Sequence, residues 1–284
     1  MHNDQSGGQR AVFLDFDGTY AEYGQVPPPH VAAVRQARQA GHVVMLCTGR
    51  PRSMVSDAVL SEFDGIVGSA GGYVEFGGQI LRDRRMPAQV AARTIEALDR
   101  YGATYILEAP EAVYGLPGVA QRITALIGNR LGTTPPAPEE SAEHFLALRM
   151  QPDLSNVAFS KITCFDCSIP IRDIALEVGD QLAVLPLSME GMAIESAGEL
   201  FEPGVHKAGG IAVVIDHLGI DRSAVVAVGD GANDLEMLEF AGVAVAIEGA
   251  STDLLAVADM TAAGPANAGL VPAFTSLGLL GQPS

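Results

Sequence analysis

Tryptophan is absent from this chain, cysteine occurs three times, and basic side chains number half the acidic ones. Each shortage removes a class of explanation. Cys47, Cys164 and Cys167 are an odd number in 284 residues, a length that buries a core without staples, so a reducing compartment is the simplest reading. Cys164-Phe165-Asp166-Cys167 has CxxC spacing, but no second pair or neighbouring histidine completes a zinc site, and two ordinary thiols are the better reading. With 17 Lys and Arg against 34 Asp and Glu, the formal net charge is −17, a surface that repels nucleic acid and anionic membranes. Long apolar runs are missing too. The opening MHNDQSGGQR carries no signal-like segment and no stretch approaches a membrane span, which points to a cytoplasmic protein. What the chain does have is 48% hydrophobic residues and 32 glycines, the composition of a globular protein with many tight turns.

After a polar N-terminal arm, the apolar run at 10–15 reads as a buried strand. Residues 29–40 follow as a helix, with Val31, Val34 and Ala37 on one face, prolines 27–29 at its entry and Gly41 to stop it. VVMLC (43–47) is a second buried strand; a helix at 51–60 and a strand at 65–67 complete a βαβαβ pattern, the mark of a parallel sheet. The last third repeats it: a helix at 205–218 ended by Gly219, a strand at 224–229, a helix at 233–241, a strand at 244–247, a short helix at 252–258 and a last strand at 260–261. The middle differs. A hairpin around Gly77-Gly78 is expected to leave the sheet. Helices near 87–101, 118–131 and 170–179 then mix with strands near 103–108, 112–115, 161–165, 181–185 and 192–195, and a Pro-rich loop spans 133–141. The economical organisation is a discontinuous α/β core, residues 1–80 plus 190–284, carrying an inserted α+β domain over 81–189.

The first strand ends in Asp15-Phe16-Asp17-Gly18-Thr19, and in open α/β sheets ligands gather where strands end. Two carboxylates so placed are costly unless something cationic joins them, although an Asx-type turn explains D-x-D-G equally well. Gly229-Asp230-Gly231-Ala232-Asn233-Asp234 tips the balance. Asp230 ends a strand as Asp15 does, while Asp234 alone would be a helix cap or first-turn acid. Two acidic strand ends in one parallel sheet converge on one edge and call for a hard cation with oxygen ligands, which magnesium fits. Thr48-Gly49 offers a hydroxyl and backbone N–H groups to phosphoryl oxygens, though alone it is an ordinary capped turn. Lys207 sits in a first helical turn, where the dipole disfavours a cation; alone it would be a surface lysine.

In order and spacing, DFDGT (15–19), Thr48, Lys207 and GDGANDLEML (229–238) resemble the four motifs of the haloacid dehalogenase superfamily of phosphatases. TGR (48–50), EPGVHKAGG (202–210) and GDGANDLEML resemble its Cof-type branch, and the insert resembles the C2B cap of that branch; the resemblance covers nearly the whole chain. Two departures stand out. Ala70-Gly71-Gly72 replaces the usual Asn-Gly pair after the third strand, and Tyr20 replaces an aliphatic residue after DGT, a change expected to alter packing rather than chemistry.

The resemblance implies a Rossmann-like core with an inserted cap, and a Mg2+-dependent phosphatase acting on a small phosphorylated metabolite such as a sugar phosphate. Asp15 is then the nucleophile that forms an aspartyl-phosphate, and Asp17 the general acid and later base. Thr48, Gly49, Lys207 and Asn233 bind the phosphoryl; Asp15, the Asp17 carbonyl and Asp230 hold magnesium, with Asp234 orienting or reaching it through water. Magnesium and Lys207 offset most of the four carboxylates, so the global charge is no obstacle to phosphate. The cap closes over the leaving group, and Arg50, Glu195 and His206 flank the motifs as groups that could face substrate. A phosphosugar mutase resembling phosphomannomutase and a catalytically inactive binding protein on the same fold are the alternatives. Oligomeric state has no signature in the sequence.

Overall fold

All four residues of the first strand, β1 (Ala11–Leu14), are buried. A strand apolar on both faces belongs inside a parallel sheet covered by helices. β1 pairs in parallel with β2 (Val43–Cys47) on one side and with β12 (Val225–Gly229) on the other. Adding β3 (Gly65–Gly68), β4 (Tyr73–Phe76), β5 (Gln79–Asp83), β13 (Val243–Ile247) and β14 (Met260–Ala262) gives eight strands in the order β14-β13-β12-β1-β2-β3-β4-β5. The computed structural model describes residues 8–131, 147–189 and 192–281; the start of the N-terminal arm and the Pro-rich stretch at 133–141 lie outside them.

Alternation along the strands sends neighbours to opposite faces. Val12, Leu14, Val44 and Leu46 pack with Ala33 and Val34 of α1 (Pro28–Gln39) and with Phe274 of α9 (Leu270–Ser276). Phe13, Met45 and Ala227 pack instead with Ile211 and Val214 of α6 (Lys207–Leu218), Leu238 of α7 (Leu235–Phe240) and Leu254 of α8 (Thr252–Val257). Gly41 and Gly219 follow α1 and α6 at positive φ, as the sequence reading expects of helix terminators.

These elements form one of two compact units, drawn from Met1–Gly49, Val55–Asp83 and His206–Ser284; the other comprises Arg50–Met54 and Arg84–Val205. The second unit has its own sheet. β6 (Thr104–Glu108), β7 (Val113–Gly115), β8 (Leu148–Met150), β9 (Lys161–Asp166), β10 (Ala183–Met189) and β11 (Met192–Phe201) run in the order β10-β11-β9-β6-β7-β8. Val90 and Leu98 of α3 (Ala88–Arg100) and Ile174 of α5 (Ile171–Val178) cluster with Tyr105, Leu107 and Ile162 of that sheet. Ile123 of α4 (Val119–Leu131) clusters with Ile106 and Val113.

Three details depart from the sequence reading. The Gly77-Gly78 hairpin does not leave the first sheet but extends it, because β4 turns back antiparallel beside β3. The expected helix at 51–60 is a 3-10 turn (Arg52–Met54) and a short α2 (Asp57–Leu60), separated at Ser56, which is extended and caps α2. Residues 192–201 form one long strand, β11, paired with β9 and β10, so this stretch belongs to the second sheet and not to the core. β8 and α9 were not foreseen. β8 is three mostly exposed residues without alternation, and α9 carries Pro272 in its first turn, where proline is tolerated.

Candidate active site

Parallel strands present their carboxyl ends along one edge. β1 leads into Asp15, β2 into Thr48, β3 into Ser69 and β12 into Asp230. Register keeps them level: Leu14 stands opposite Leu46 and Val228, and the Asp15 N–H donates to the Val228 carbonyl at 3.0 Å.

Lys207, the first residue of α6, reaches this edge and is completely buried. Its Nζ lies 2.5 Å from Asp15 Oδ1 and 2.5 Å from Asp234 Oδ1. The other oxygen of Asp234 accepts from the N–H groups of Asp230 (3.0 Å) and Gly231 (2.9 Å), so this carboxylate folds the loop after β12 as it holds the lysine. Asp230 Oδ1 accepts from the Thr19 hydroxyl at 2.8 Å. Its Oδ2 lies over Gly18, where a Cβ would come within 2.3 Å; Gly18 also has φ +85°, so both space and backbone demand glycine.

Oxygen atoms of Asp15, Asp230 and Asp234 all lie within 4.8 Å of one another. One lysine, bonded to two of the three carboxylates, leaves the cluster short of positive charge. Burial raises the Asp15 carboxyl to about 8, with Lys207 pulling it back and Asp234 and Asp230 pushing it further. Burial also raises Asp230, against the Thr19 hydrogen bond. Burial alone would lower Lys207, but Asp15 and Asp234 overcome it and keep the ammonium charged. An all-oxygen donor set short of positive charge suits a hard divalent cation.

The family model of the haloacid dehalogenase-like hydrolases matches residues 12–274. The chain belongs to this family. The expected superfamily, the expected fold and the hydrolase class are therefore met. Among curated relatives, the chain is 26% identical over 266 residues to "Endoribonuclease YBEY, chloroplastic" of Arabidopsis thaliana, covering 88% of this chain but only 43% of that protein. It is 24% identical over 277 residues to "Putative phosphatase YkrA" of Bacillus subtilis, covering 95% of this chain and 98% of the relative. Among solved structures, a hypothetical protein from Geobacillus kaustophilus HTA426 superposes with TM-score 0.78 at 26% identity, over 96% of this chain and 100% of that one. The HAD subclass IIB sugar phosphatase BT4131 superposes with TM-score 0.74 at 21% identity over 96% and 100%, a likeness of fold.

In this haloacid dehalogenase-like hydrolase the remaining expected residues line the same unit. Asp17 is exposed just beyond Asp15, and its charge reaches Asp230. Thr48 is buried, with its N–H donating to Val67 O at 2.8 Å. Asn233 is exposed, and its amide nitrogen would be 3.6 Å from a Cβ at Gly49, which brings the ends of β2 and β12 together. Three flanking residues have other occupations or places. His206 caps α6, its Nδ1 accepting from Gly209 N–H at 3.2 Å. Glu195 and Arg50 belong to the second unit, where exposed Glu195 pairs with Arg172 at 3.6 Å. Tyr20 packs in the core, its ring centroid 5.0 Å from that of Phe63, as expected. The sequence reading passed over Thr19 as a site residue; its position beside Gly18 in DFDGT was the available signal.

Proposed function

We propose that this hydrolase removes phosphate from a small phosphomonoester, a sugar phosphate or similar metabolite, through a covalent aspartyl-phosphate. The observation that carries the reading is Lys207, a fully buried ammonium 2.5 Å from both Asp15 and Asp234 at the carboxyl edge of a parallel sheet. Such a cluster stabilises a fold poorly, so its upkeep points to charge management during a reaction. The sugar-phosphate class draws support from the likeness to BT4131, a sugar phosphatase.

In the first step an Asp15 oxygen attacks phosphorus, the bond to the leaving oxygen breaks, and Asp17 gives that oxygen its proton. Asp17, now a carboxylate, then takes a proton from water; the water oxygen attacks the same phosphorus, and inorganic phosphate and the Asp15 carboxylate are released. Exposure of Asp17 suits it to proton exchange. Thr48, Gly49, Lys207 and Asn233 hold the phosphoryl oxygens, over which transition-state charge is spread. The Asp15 side chain, the Asp17 carbonyl and Asp230 would hold magnesium. A magnesium ion held there would supply positive charge against the phosphoryl oxygens and would favour the ionised form of Asp15. Asp234 has both oxygens committed to Lys207 and two backbone N–H groups, which supports an orienting role over direct ligation.

The test is phosphate release from an aryl phosphate and then from a panel of sugar phosphates, with magnesium and with chelator. Release that depends on the metal and is abolished in Asp15→Asn is expected. Full activity of Asp15→Asn would overturn the covalent mechanism, and isomerised sugar without free phosphate would favour the mutase.

A further inference from the structure

Lys207 is held where two local forces oppose it. A cation at a helix N-terminus is repelled by the dipole, and burial removes its hydration. Its carboxylate partners explain why the ammonium stays charged, but the backbone that delivers it must be fixed from elsewhere. The first turn of α6 contains Gly209 and Gly210, poor residues for a helix. Gly210 lies at a close approach to the strand-end turn. A Cβ on Gly210 would meet Val67 at 2.4 Å and the Gly71 Cα at 3.0 Å; a Cβ on Gly71 would meet the His206 carbonyl oxygen at 2.3 Å.

Gly71 reaches this position through a run of left-handed residues: Ser69 (φ 47°), Ala70 (φ 53°) and Gly71 (φ 100°). Two of the three bear a Cβ, which makes the conformation unfavourable locally and maintained by its surroundings. The Ser69 hydroxyl is buried and has no hydrogen-bond partner among the described protein atoms. The same turn touches the neighbouring strand end, since the Ala70 N–H donates to Thr48 O at 3.1 Å. Arg82, on β5, closes the arrangement: its Nη1 donates to Gly71 O at 3.2 Å and to Gly209 O at 3.0 Å, joining the turn to the first turn of α6.

We propose that Arg82 is a positioning residue for the reaction: it clasps the 69–71 turn to the start of α6 and so sets where Lys207 Nζ stands relative to Asp15. The idea rests on the proposed phosphatase reading for its effect on rate, but the clasp has a readout of its own. Arg82→Ala is expected to lower kcat on an aryl phosphate by about tenfold to a hundredfold, with KM within about twofold of wild type. Lys207 is completely buried, so it is expected to resist an amine acylating reagent in the native protein and to become labelled in the same variant, as read by mass spectrometry. Arg82→Lys keeps a cation near both carbonyls and is expected to recover most of the rate and the protection. Val214→Ala, a core truncation on the same helix, lowers thermal stability without labelling Lys207 or reducing kcat.

Wild-type kcat with Lys207 still protected in Arg82→Ala would overturn the proposal, as would an equal loss of kcat in Val214→Ala. If Arg82→Ala fails to fold, Arg82→Gln, which retains a donor for one carbonyl, is read in the same two ways. A wild-type protein that releases no phosphate refutes the phosphatase reading, while the labelling still decides the clasp.

Discussion

Gly18 shows how narrowly single residues specify this site. It turns the chain between Asp17 and Thr19 at φ +85°, and Asp230 Oδ2 occupies the volume its side chain would need. Adding one methyl group in Gly18→Ala carries a backbone penalty of about 1–2 kcal/mol and displaces Asp230 from its bond to Thr19. We expect a lower melting temperature and at least about a tenfold loss of metal-dependent phosphate release, measured with magnesium titrated to saturation. Retained activity at ordinary magnesium concentrations would mean that Asp230 is not held where it acts. The glycine, the two aspartates and Lys207 were all visible as residue types at spacings. The direction in which Asp234 points was not, because a helix-cap acid and a lysine-holding acid look identical in a string of letters.

Helices and strands place those residues, and His30 on α1 illustrates how. It is buried, with Nδ1 donating to Tyr20 O at 3.0 Å and Nε2 accepting from the Leu270 N–H at 3.3 Å. One neutral imidazole thus ties the loop after Asp15 to the start of α9, where a helix leaves N–H groups without internal partners. Burial lowers its pKa below 6.5, against the Tyr20 hydrogen bond. The unfolded chain therefore takes up a proton as pH falls below about 6.5 while the folded one resists, and stability declines from that pH down to the depressed folded value. Thermal melts between pH 7.5 and pH 5, of about the kind used for linkage, should show a smaller decline in His30→Gln than in wild type. Equal slopes would remove His30 from the account. Nothing in the sequence reading singled out this histidine, since its partners lie 10 and 240 residues away.

On the scale of the whole molecule, each unit carries its own core. Arg84–Val205 contains a cluster built on Leu98, Leu107, Phe159, Ile162 and Ile174, made by its own helices and sheet. A fragment spanning residues 84–205 is expected to fold alone and unfold cooperatively, checked by circular dichroism and amide proton dispersion. A fragment without a cooperative transition would show that this core depends on the rest of the chain. No helix among the described residues is long and apolar enough to cross a membrane.

By itself the sequence determined the alternation of strand and helix, the acidic strand ends and the family. These follow from local patterns: apolar runs with a period, glycines at helix ends, motifs in a set order. Tertiary structure alone decided that the Gly77-Gly78 hairpin stays in the first sheet, that β11 belongs to the second, and that Lys207 stands between Asp15 and Asp234. The physical reason is range. Hydrophobic periodicity is written in neighbours, whereas strand partners and ion pairs join residues far apart in the chain, and their choice is made only when the sheet brings them to one edge.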